Sequence, residues 1–199
     1  MKSAWLTTEL ETYERHVELD SVGQAAAIRE AIRHAVQSYG ASSFLYLGCA
    51  GGNGLESIGD ARVVGLDLNE NFLVTARERW GHLPNAEFVA CNLDSVLPDK
   101  GPFGLAFGAL VFEYVHDLSS LIRQLAGCID GRLVALLLAT RENAPAVSES
   151  PYREALQPVG REFRYLSADD FVTTARESGF VLDKQEEIAL PAGKHFVAI

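Results

Sequence analysis

Short apolar runs alternate with longer amphipathic stretches along most of the chain, and glycine or proline separates them. The apolar runs predict strands at residues 43–47, 62–66, 86–90, 104–111, 131–139, 180–188 and 194–199. The amphipathic stretches predict five helices: one over residues 24–39, one that begins near Asn53, one that begins after Asn69, one that begins after Asp117, and one from Ser167 to Gly179. Residues 141–166 are predicted to be irregular.

Strand–helix alternation repeated this often requires a mostly parallel sheet with helices on both faces. Only a turn separates the last two strands, so they are expected to be antiparallel neighbours. The chain of 199 residues is long enough to bury one substantial core. We therefore predict a single α/β domain, a doubly wound seven-stranded sheet with an antiparallel terminal hairpin.

The composition argues against several classes of partner. Lys and Arg number 17 against 27 Asp and Glu, and the net charge of −10 disfavours general binding to nucleic acid or to an anionic membrane. The longest aliphatic run, residues 133–139, is far shorter than the roughly 20 residues that span a bilayer, and the N-terminus lacks the apolar core of a secretory signal. The cysteines Cys49, Cys91 and Cys128 have no metal-ligand spacing, which indicates reduced thiols in a cytoplasmic protein without a metal. A monomer or a homodimer is expected, and the sequence does not decide between them.

A glycine-rich loop follows the first predicted strand. Four glycines lie between positions 48 and 54, and Asp67 ends the second strand 19 residues after Gly48. Such a loop lets a ligand approach the backbone closely, and an acid at that spacing can accept hydrogen bonds from a ribose diol. The loop has no lysine for a phosphate-binding loop, and it lacks the second and third glycines of a dinucleotide fingerprint. A nicotinamide oxidoreductase is thereby disfavoured but stays open.

Four segments together resemble the serial motifs of class I S-adenosylmethionine-dependent methyltransferases, namely residues 44–54, 63–67, 88–92 and 105–113. The resemblance covers residues 40–199, and residues 13–24 are similar to the N-terminal segment that covers the cofactor in several small-molecule members. It implies that the last strand inserts antiparallel between its neighbours. It also implies an N-terminal helical cap (1–40), a nucleoside-binding core (41–140), a possible substrate lid (141–166) and a closing helix with hairpin (167–199).

By resemblance, the cofactor is S-adenosylmethionine, which becomes S-adenosylhomocysteine. The methionine part is expected against Gly48, Cys49, Ala50 and Gly52, the ribose at Asp67, the adenine against Leu68, Asn92 and Leu93, and the sulfonium beside Gly108 and Ala109. Two positions depart from the family pattern, since Tyr46 stands where an acid is usual and Ala50 where glycine is usual. Ala50 should have a negative φ unless it is strained. The two departures either weaken cofactor binding or mark a subfamily in which Tyr13, His16 or Gln24 holds the methionine end.

The predicted reaction is methyl transfer to a small molecule, because the polar-Pro-Pro-aromatic motif of nucleic-acid methyltransferases is absent after the fourth strand. Glu113, Tyr114 and His116 are the candidate catalytic residues at the end of that strand. Arg141, Arg161 and Arg164 lie in the charge-neutral stretch 141–166 and could bind an anionic group of the substrate. A catalytically inert protein that binds the same nucleoside remains an alternative.

Overall fold

In the computed structural model, which describes residues 2–139 and 145–199, one sheet lies at the centre of the domain. Its strands are β1 Ser43–Leu47, β2 Arg62–Asp67, β3 Ala86–Ala90, β4 Phe103–Ala109, β5 Ile129–Ala139, β6 Glu186–Ala189 and β7 His195–Ala198. They are arranged in the order β3-β2-β1-β4-β5-β7-β6. Strands β1 to β5 are parallel, and β7 is antiparallel to both of its neighbours. The predicted fold class is confirmed, including the antiparallel insertion of the last strand.

Helices cover both faces of this sheet. They are α1 Leu10–Glu18, α2 Gln24–Tyr39, α3 Glu70–Trp80, α4 Leu118–Cys128, α5 Arg153–Glu162 and α6 Ala168–Glu177. Helices α2 and α3 pack with one face of the strands, and α4 and α6 pack with the other. Adjacent strand residues alternate between the two packed layers, as Phe44 and Leu45 do, because successive side chains of a strand point to opposite faces. None of the helices in the described residues is long and apolar enough to cross a membrane.

The parallel strands bring four loops to one edge of the sheet. In the strand register, Leu47 lies beside both Leu66 and Gly108, and Asp67 lies beside Ala90. The carboxyl ends of β1, β2, β3 and β4 therefore meet, which is where ligands bind in open α/β sheets. We call this side the carboxyl edge.

The helix predicted near Asn53 is wrong. That position is followed only by a 3-10 turn at Leu55–Ser57, because Gly52 and Gly54 adopt φ angles of 84° and 92°. A left-handed backbone on both sides of Asn53 prevents a right-handed helix from starting there. The Asn53 side chain instead donates to the carbonyl oxygen of Ala25, which ties the loop to α2.

Two further boundaries differ from the prediction. The stretch 141–166, expected to be irregular, contains α5 despite Pro158, since Leu156 and Val159 give that helix a buried stripe. The strand predicted over 180–188 is replaced by the shorter β6, Glu186–Ala189, and residues 180–185 belong to no helix or strand.

Candidate functional site

Two adjoining cavities lie at the carboxyl edge. The methionine-side cavity, named for the part of the ligand expected there, has a volume of about 280 Å³ and is lined by the glycine-rich loop, α1 and α2. The nucleoside-side cavity has a volume of about 460 Å³ and is lined by the ends of β2, β3 and β4 and by the N-terminal segment. Tyr13, Gly48, Ala50 and Ala109 line both, so the two cavities adjoin across the end of the glycine-rich loop.

The glycine-rich loop has a left-handed backbone at several positions. Gly48, Ala50 and Gly52 have φ angles of 62°, 47° and 84°. Ala50 is therefore strained, contrary to the negative φ expected from its side chain. Its N–H donates to Asp67 Oδ2 at 2.8 Å, which holds the strained residue in place.

Gly52 is a position where only glycine fits. An added Cβ would be 2.5 Å from the indole ring of Trp80, and that indole donates from Nε1 to the carbonyl oxygen of Gly51 at 3.0 Å. The last residue of α3 thus supports the floor of the loop. Close packing here keeps the loop backbone exposed to the methionine-side cavity rather than to bulk solvent.

Asp67 links the loop to the nucleoside-side cavity. Its Oδ2 accepts from Ala50 and its Oδ1 accepts from the Asn69 N–H, both at 2.8 Å. Burial raises the pKa of this carboxyl, against the backbone hydrogen bonds that lower it. Because each carboxylate oxygen can accept more than one hydrogen bond, both can also accept from a ligand in the cavity that Asp67 lines.

The nucleoside-side cavity combines apolar walls with polar edges. Leu68, Phe72 and Leu93 provide flat apolar surface, and Asn92 adds an amide. The Asn92 Oδ1 accepts from the Asp94 N–H at 3.0 Å, so the amide is oriented by its own loop. An apolar slot with an amide at its edge and a carboxylate at its end suits a purine nucleoside.

The N-terminal segment, residues 2–8, forms one wall of the nucleoside-side cavity. The Asn69 side chain donates to the carbonyl oxygen of Trp5 at 2.8 Å. The Trp5 ring packs edge-on against Tyr13 and Tyr114, each with a centroid distance of 5.3 Å. Burial, followed by the charge of Asp67, raises the pKa of Tyr13, so its hydroxyl is a neutral donor beside that carboxylate.

The methionine-side cavity contains charges of both signs. Arg29 pairs with Glu18 and donates to Asn53 Oδ1 at 3.0 Å, while Arg79 pairs with Glu14 across the loop. All five residues line the cavity. With Glu56, the lining thus has two arginines and three carboxylates, so it offers groups of both signs to a zwitterion such as an amino acid.

Tyr46 also lines the methionine-side cavity, at the position where the resemblance leads one to expect an acid. Its hydroxyl donates to the carbonyl oxygen of Asn53 at 3.1 Å, and burial raises its pKa. The phenol therefore anchors the loop as a neutral group.

The three candidate catalytic residues are in different environments. Tyr114 and His116 line the nucleoside-side cavity, whereas Glu113 is 1% exposed and does not line it. Glu113 Oε1 accepts from the Leu138 N–H at 2.7 Å, and burial raises the Glu113 pKa to about 7. His116 Nδ1 lies 2.9 Å from Asp94 Oδ2, so this contact orients the imidazole ring.

Most of the expected cofactor-binding residues line one cavity or the other: Tyr13, Gly48, Cys49, Ala50, Gly52, Asp67, Leu68, Asn92, Leu93 and Ala109. His16 and Gly108 do not line either cavity. His16 Nδ1 lies 2.8 Å from Ser150 Oγ, and a Cβ at Gly108 would be 2.7 Å from the Phe112 ring. Gly108 therefore accommodates packing beneath the site.

The three arginines expected to bind substrate do not converge in the described residues. Arg161 is exposed on α5. Arg164 donates from its side chain to the carbonyl oxygen of Val115 and from its backbone to that of Glu113, so it supports the turn after β4. Arg141 lies outside the described residues.

Sequence reasoning missed Trp5, Arg29, Asn69 and Trp80 as parts of the site. Trp5, Asn69 and Trp80 belong to the site because of contacts with residues distant in the sequence. Asn69 is hydrogen-bonded to Trp5, and Trp80 is hydrogen-bonded to Gly51. Asn69 was found only as a helix cap, a role the structure confirms. Of these four residues, Arg29 alone could have been found from the sequence, because it lies on the helix predicted over residues 24–39, before β1.

The comparisons with known proteins agree with this geometry. A family model described as a methyltransferase domain matches residues 44–139. Trans-aconitate 2-methyltransferase of Rhizobium rhizogenes is 34% identical over 105 residues, which cover 50% of this chain and 40% of that relative. The enzyme of the same name from Paracidovorax citrulli is 30% identical over 129 residues, covering 58% of this chain and 48% of that relative. The chain thus spans less than half the length of these curated relatives.

Among solved structures, magnesium protoporphyrin IX methyltransferase from Synechocystis with bound S-adenosylmethionine has a similar fold. The TM-score is 0.70 at 16% sequence identity, covering 98% of this chain and 91% of that one. At this identity the likeness shows the shared fold.

Proposed function

Because the chain belongs to the class I S-adenosylmethionine-dependent methyltransferases, we propose that it transfers a methyl group from S-adenosylmethionine to a small-molecule acceptor. The observation that carries the proposal is the Asp67 carboxylate, which lines the nucleoside-side cavity and is oriented by the N–H groups of Asn69 and of Ala50, a residue that lines both cavities. A ribose diol placed there would donate to both carboxylate oxygens. This geometry joins the glycine-rich loop and the acid into one binding unit.

The residues around the two cavities fit the cofactor part by part. The adenine would lie in the apolar slot beside Leu68, with its edge at Asn92. The methionine end would reach the methionine-side cavity, where Arg29 would pair with its carboxylate and Glu14 or Glu18 with its ammonium. In this arrangement Glu14 or Glu18 would replace the acid that the family pattern has at position 46.

When bound, the cofactor supplies an activated methyl group on a positively charged sulfur. The residues of the chain then need to align the acceptor, exclude water and accept a proton where the acceptor carries one. Tyr114 and Trp5 would form the aromatic wall that excludes water. His116, oriented by Asp94, is the candidate base because it lines the nucleoside-side cavity, whereas the burial of Glu113 does not favour that role.

We extend the proposal to an anionic acceptor that carries carboxylates. Its support is that the relatives sharing 30% and 34% identity with this chain are trans-aconitate 2-methyltransferases. Methyl transfer to a carboxylate oxygen needs no base, since the nucleophile is already ionised. In that case His116 would orient the acceptor and would not take up a proton from it.

Calorimetric titration with S-adenosylhomocysteine tests the cofactor site. We expect saturable binding by the wild type and a 10- to 100-fold weaker affinity in Asp67→Asn, on the order of the loss of one or two charge-assisted hydrogen bonds. Asp60→Asn, an exposed acid outside both cavities, is the matched control and should bind like the wild type. Equal affinity of Asp67→Asn and wild type would refute the ribose placement, and binding of NAD(H) in preference to the nucleoside would replace the proposal with a nicotinamide enzyme.

Turnover separates an enzyme from an inert binding protein. Methyl transfer to trans-aconitate and to a panel of other small carboxylic acids is measured with labelled S-adenosylmethionine. We expect transfer to at least one carboxylate. Saturable nucleoside binding without transfer to any member of the panel would support the inert alternative.

A further inference from the structure

Lys194 is a buried lysine with no acidic partner among residues 2–139 and 145–199. Lys194 is 6% exposed and directly precedes β7. Its Nζ donates to the carbonyl oxygen of Ala146 and to Ser148 Oγ, both at 2.9 Å. Neither acceptor carries a charge, and none of the ion pairs among the described residues includes Lys194. A buried ammonium is costly unless an anion compensates it, so this arrangement lacks its natural complement.

Other basic groups surround the same point. His16 is 4% exposed on α1, and its Nδ1 lies 2.8 Å from Ser150 Oγ. Burial and the charge of Lys194 lower the pKa of His16, and burial together with the charge of Arg153 lowers the pKa of Lys194 to about 8. Arg153 itself pairs with Glu149, which leaves the lysine and the histidine facing each other without a carboxylate among the described residues.

Two hydroxyl groups complete the cluster. Ser148 accepts from Lys194, and Ser150 Oγ accepts from the Tyr152 N–H at 3.1 Å while it faces His16. Ammonium, imidazole and serine hydroxyls are the donors that hold a carboxylate in proteins. We call Lys194, His16, Ser148 and Ser150 the basic cluster.

The sheet topology places the basic cluster at the carboxyl edge. Because β7 is antiparallel to β5, its first residue His195 lies beside Ala139 at the carboxyl end of β5. That end neighbours the end of β4, where Ala109 lines both cavities. His16 is one helical turn from Tyr13, which also lines both. The cluster is therefore at the carboxyl edge, beside the end of β5 and one strand away from the end of β4.

We propose that the basic cluster binds a carboxylate of the acceptor, with Lys194 as the residue that selects anionic substrates. The inference rests on the proposed function, since it places the acceptor across Ala109 from the expected methyl group. Lys194 acts here as a specificity residue, because its charge attracts the acceptor and its hydrogen bonds fix one end of it. The exposed Arg161 and the structural Arg164 then have no part in recognition.

The test measures the binding of trans-aconitate, citrate and succinate to the protein loaded with S-adenosylhomocysteine. We expect saturable binding of at least one of them by the wild type and at least a 10-fold loss in Lys194→Met. Lys184→Met, which removes an exposed lysine paired with Glu186, is the matched control and should retain the affinity. Because Lys194→Met removes an uncompensated buried charge, its urea midpoint should equal or exceed that of the wild type, whereas a purely structural lysine would lower it.

Proton uptake by the wild type provides a measurement that needs no variant. A carboxylate next to Lys194 raises the pKa of its ammonium above its value of about 8, so binding at pH 8.5 should take up a proton. Calorimetry in two buffers of different ionisation enthalpy detects this uptake. The uptake should be smaller in Lys194→Met, where His16 is the remaining group of the cluster that can take up a proton.

Two outcomes overturn the inference, namely the absence of saturable binding of all three acids and an unchanged affinity in Lys194→Met. Either outcome can occur while S-adenosylhomocysteine still binds to the wild type and binds more weakly to Asp67→Asn. A refuted role for the basic cluster is therefore distinguishable from a refuted proposed function.

Discussion

Replacing the strained Ala50 by glycine should make the protein slightly more stable. A residue with a side chain at the left-handed φ of 47° costs about 1–2 kcal/mol, and glycine removes that strain. Two losses of stability oppose this gain. The greater freedom of glycine in the unfolded chain costs about 0.4–1 kcal/mol, and the loss of a half-buried methyl group costs about 0.4 kcal/mol. The middle of these values leaves a net gain of about 0.4 kcal/mol, which corresponds to roughly 1–2 °C in melting temperature for a domain of this size.

The control for this prediction is Ala26→Gly in the exposed face of α2, where φ is not left-handed. There the same change should cost about 1 kcal/mol, because glycine weakens a helix. Urea unfolding of both variants should therefore give free energies of unfolding that differ by about 1.4 kcal/mol, a difference that follows from the two magnitudes. If Ala50→Gly destabilises the protein as much as Ala26→Gly does, the strain at Ala50 and the reasoning built on it are refuted.

Two further substitutions test the packing and the buried charge of the site. Gly52→Ala should destabilise the protein by about 1–3 kcal/mol more than Gly179→Ala, because both have a positive φ but only the first would collide with Trp80; equal urea midpoints would contradict this. Glu113→Gln should remove a pH dependence of the free energy of unfolding. The pKa of about 7 favours the neutral carboxyl in the folded state. The stability that Glu113 contributes in the wild type is therefore fully present below the pKa of the unfolded carboxyl and is lost as the pH rises through 7. The loss relative to the glutamine variant should reach about 3 kcal/mol by pH 8.5, and parallel stability curves of the two proteins from pH 4.5 to 8.5 would show that this carboxyl is not perturbed.

The parts of the fold that the sequence predicted are those determined by local patterns. The apolar run of β1 is buried at four of its five positions, and such a run between turn residues predicts a central parallel strand. The same pattern, with the spacing from Gly48 to Asp67, places the acid at the carboxyl edge. The failure near Asn53 is also local in origin, since amphipathic spacing does not report that two neighbouring glycines adopt a left-handed backbone.

The parts that the sequence could not predict depend on contacts between distant segments. Lys194 acquires its environment from positions 16 and 146–150, and nothing in its neighbours along the chain indicates burial. Arg164 was expected to meet a substrate because of its charge and its place in the chain. Its hydrogen bonds to the backbone of the turn after β4 depend on how α5 packs, which a single sequence does not report.

The N-terminal segment has a kinetic consequence. Residues 2–8 line the nucleoside-side cavity, yet their 3-10 turn at Ala4–Thr7 contains no buried residue. The described contacts of this segment are those of Asn69 with Trp5 and Thr8, of Glu162 with Ser3 and Ala4, and of the Trp5 ring with Tyr13 and Tyr114. Segments held by so few contacts open at a lower free energy than the core does. Under the proposed function, a nucleoside bound beneath Trp5 would leave only when this segment opens, so the opening frequency would set an upper limit on the rate at which product is exchanged for fresh cofactor.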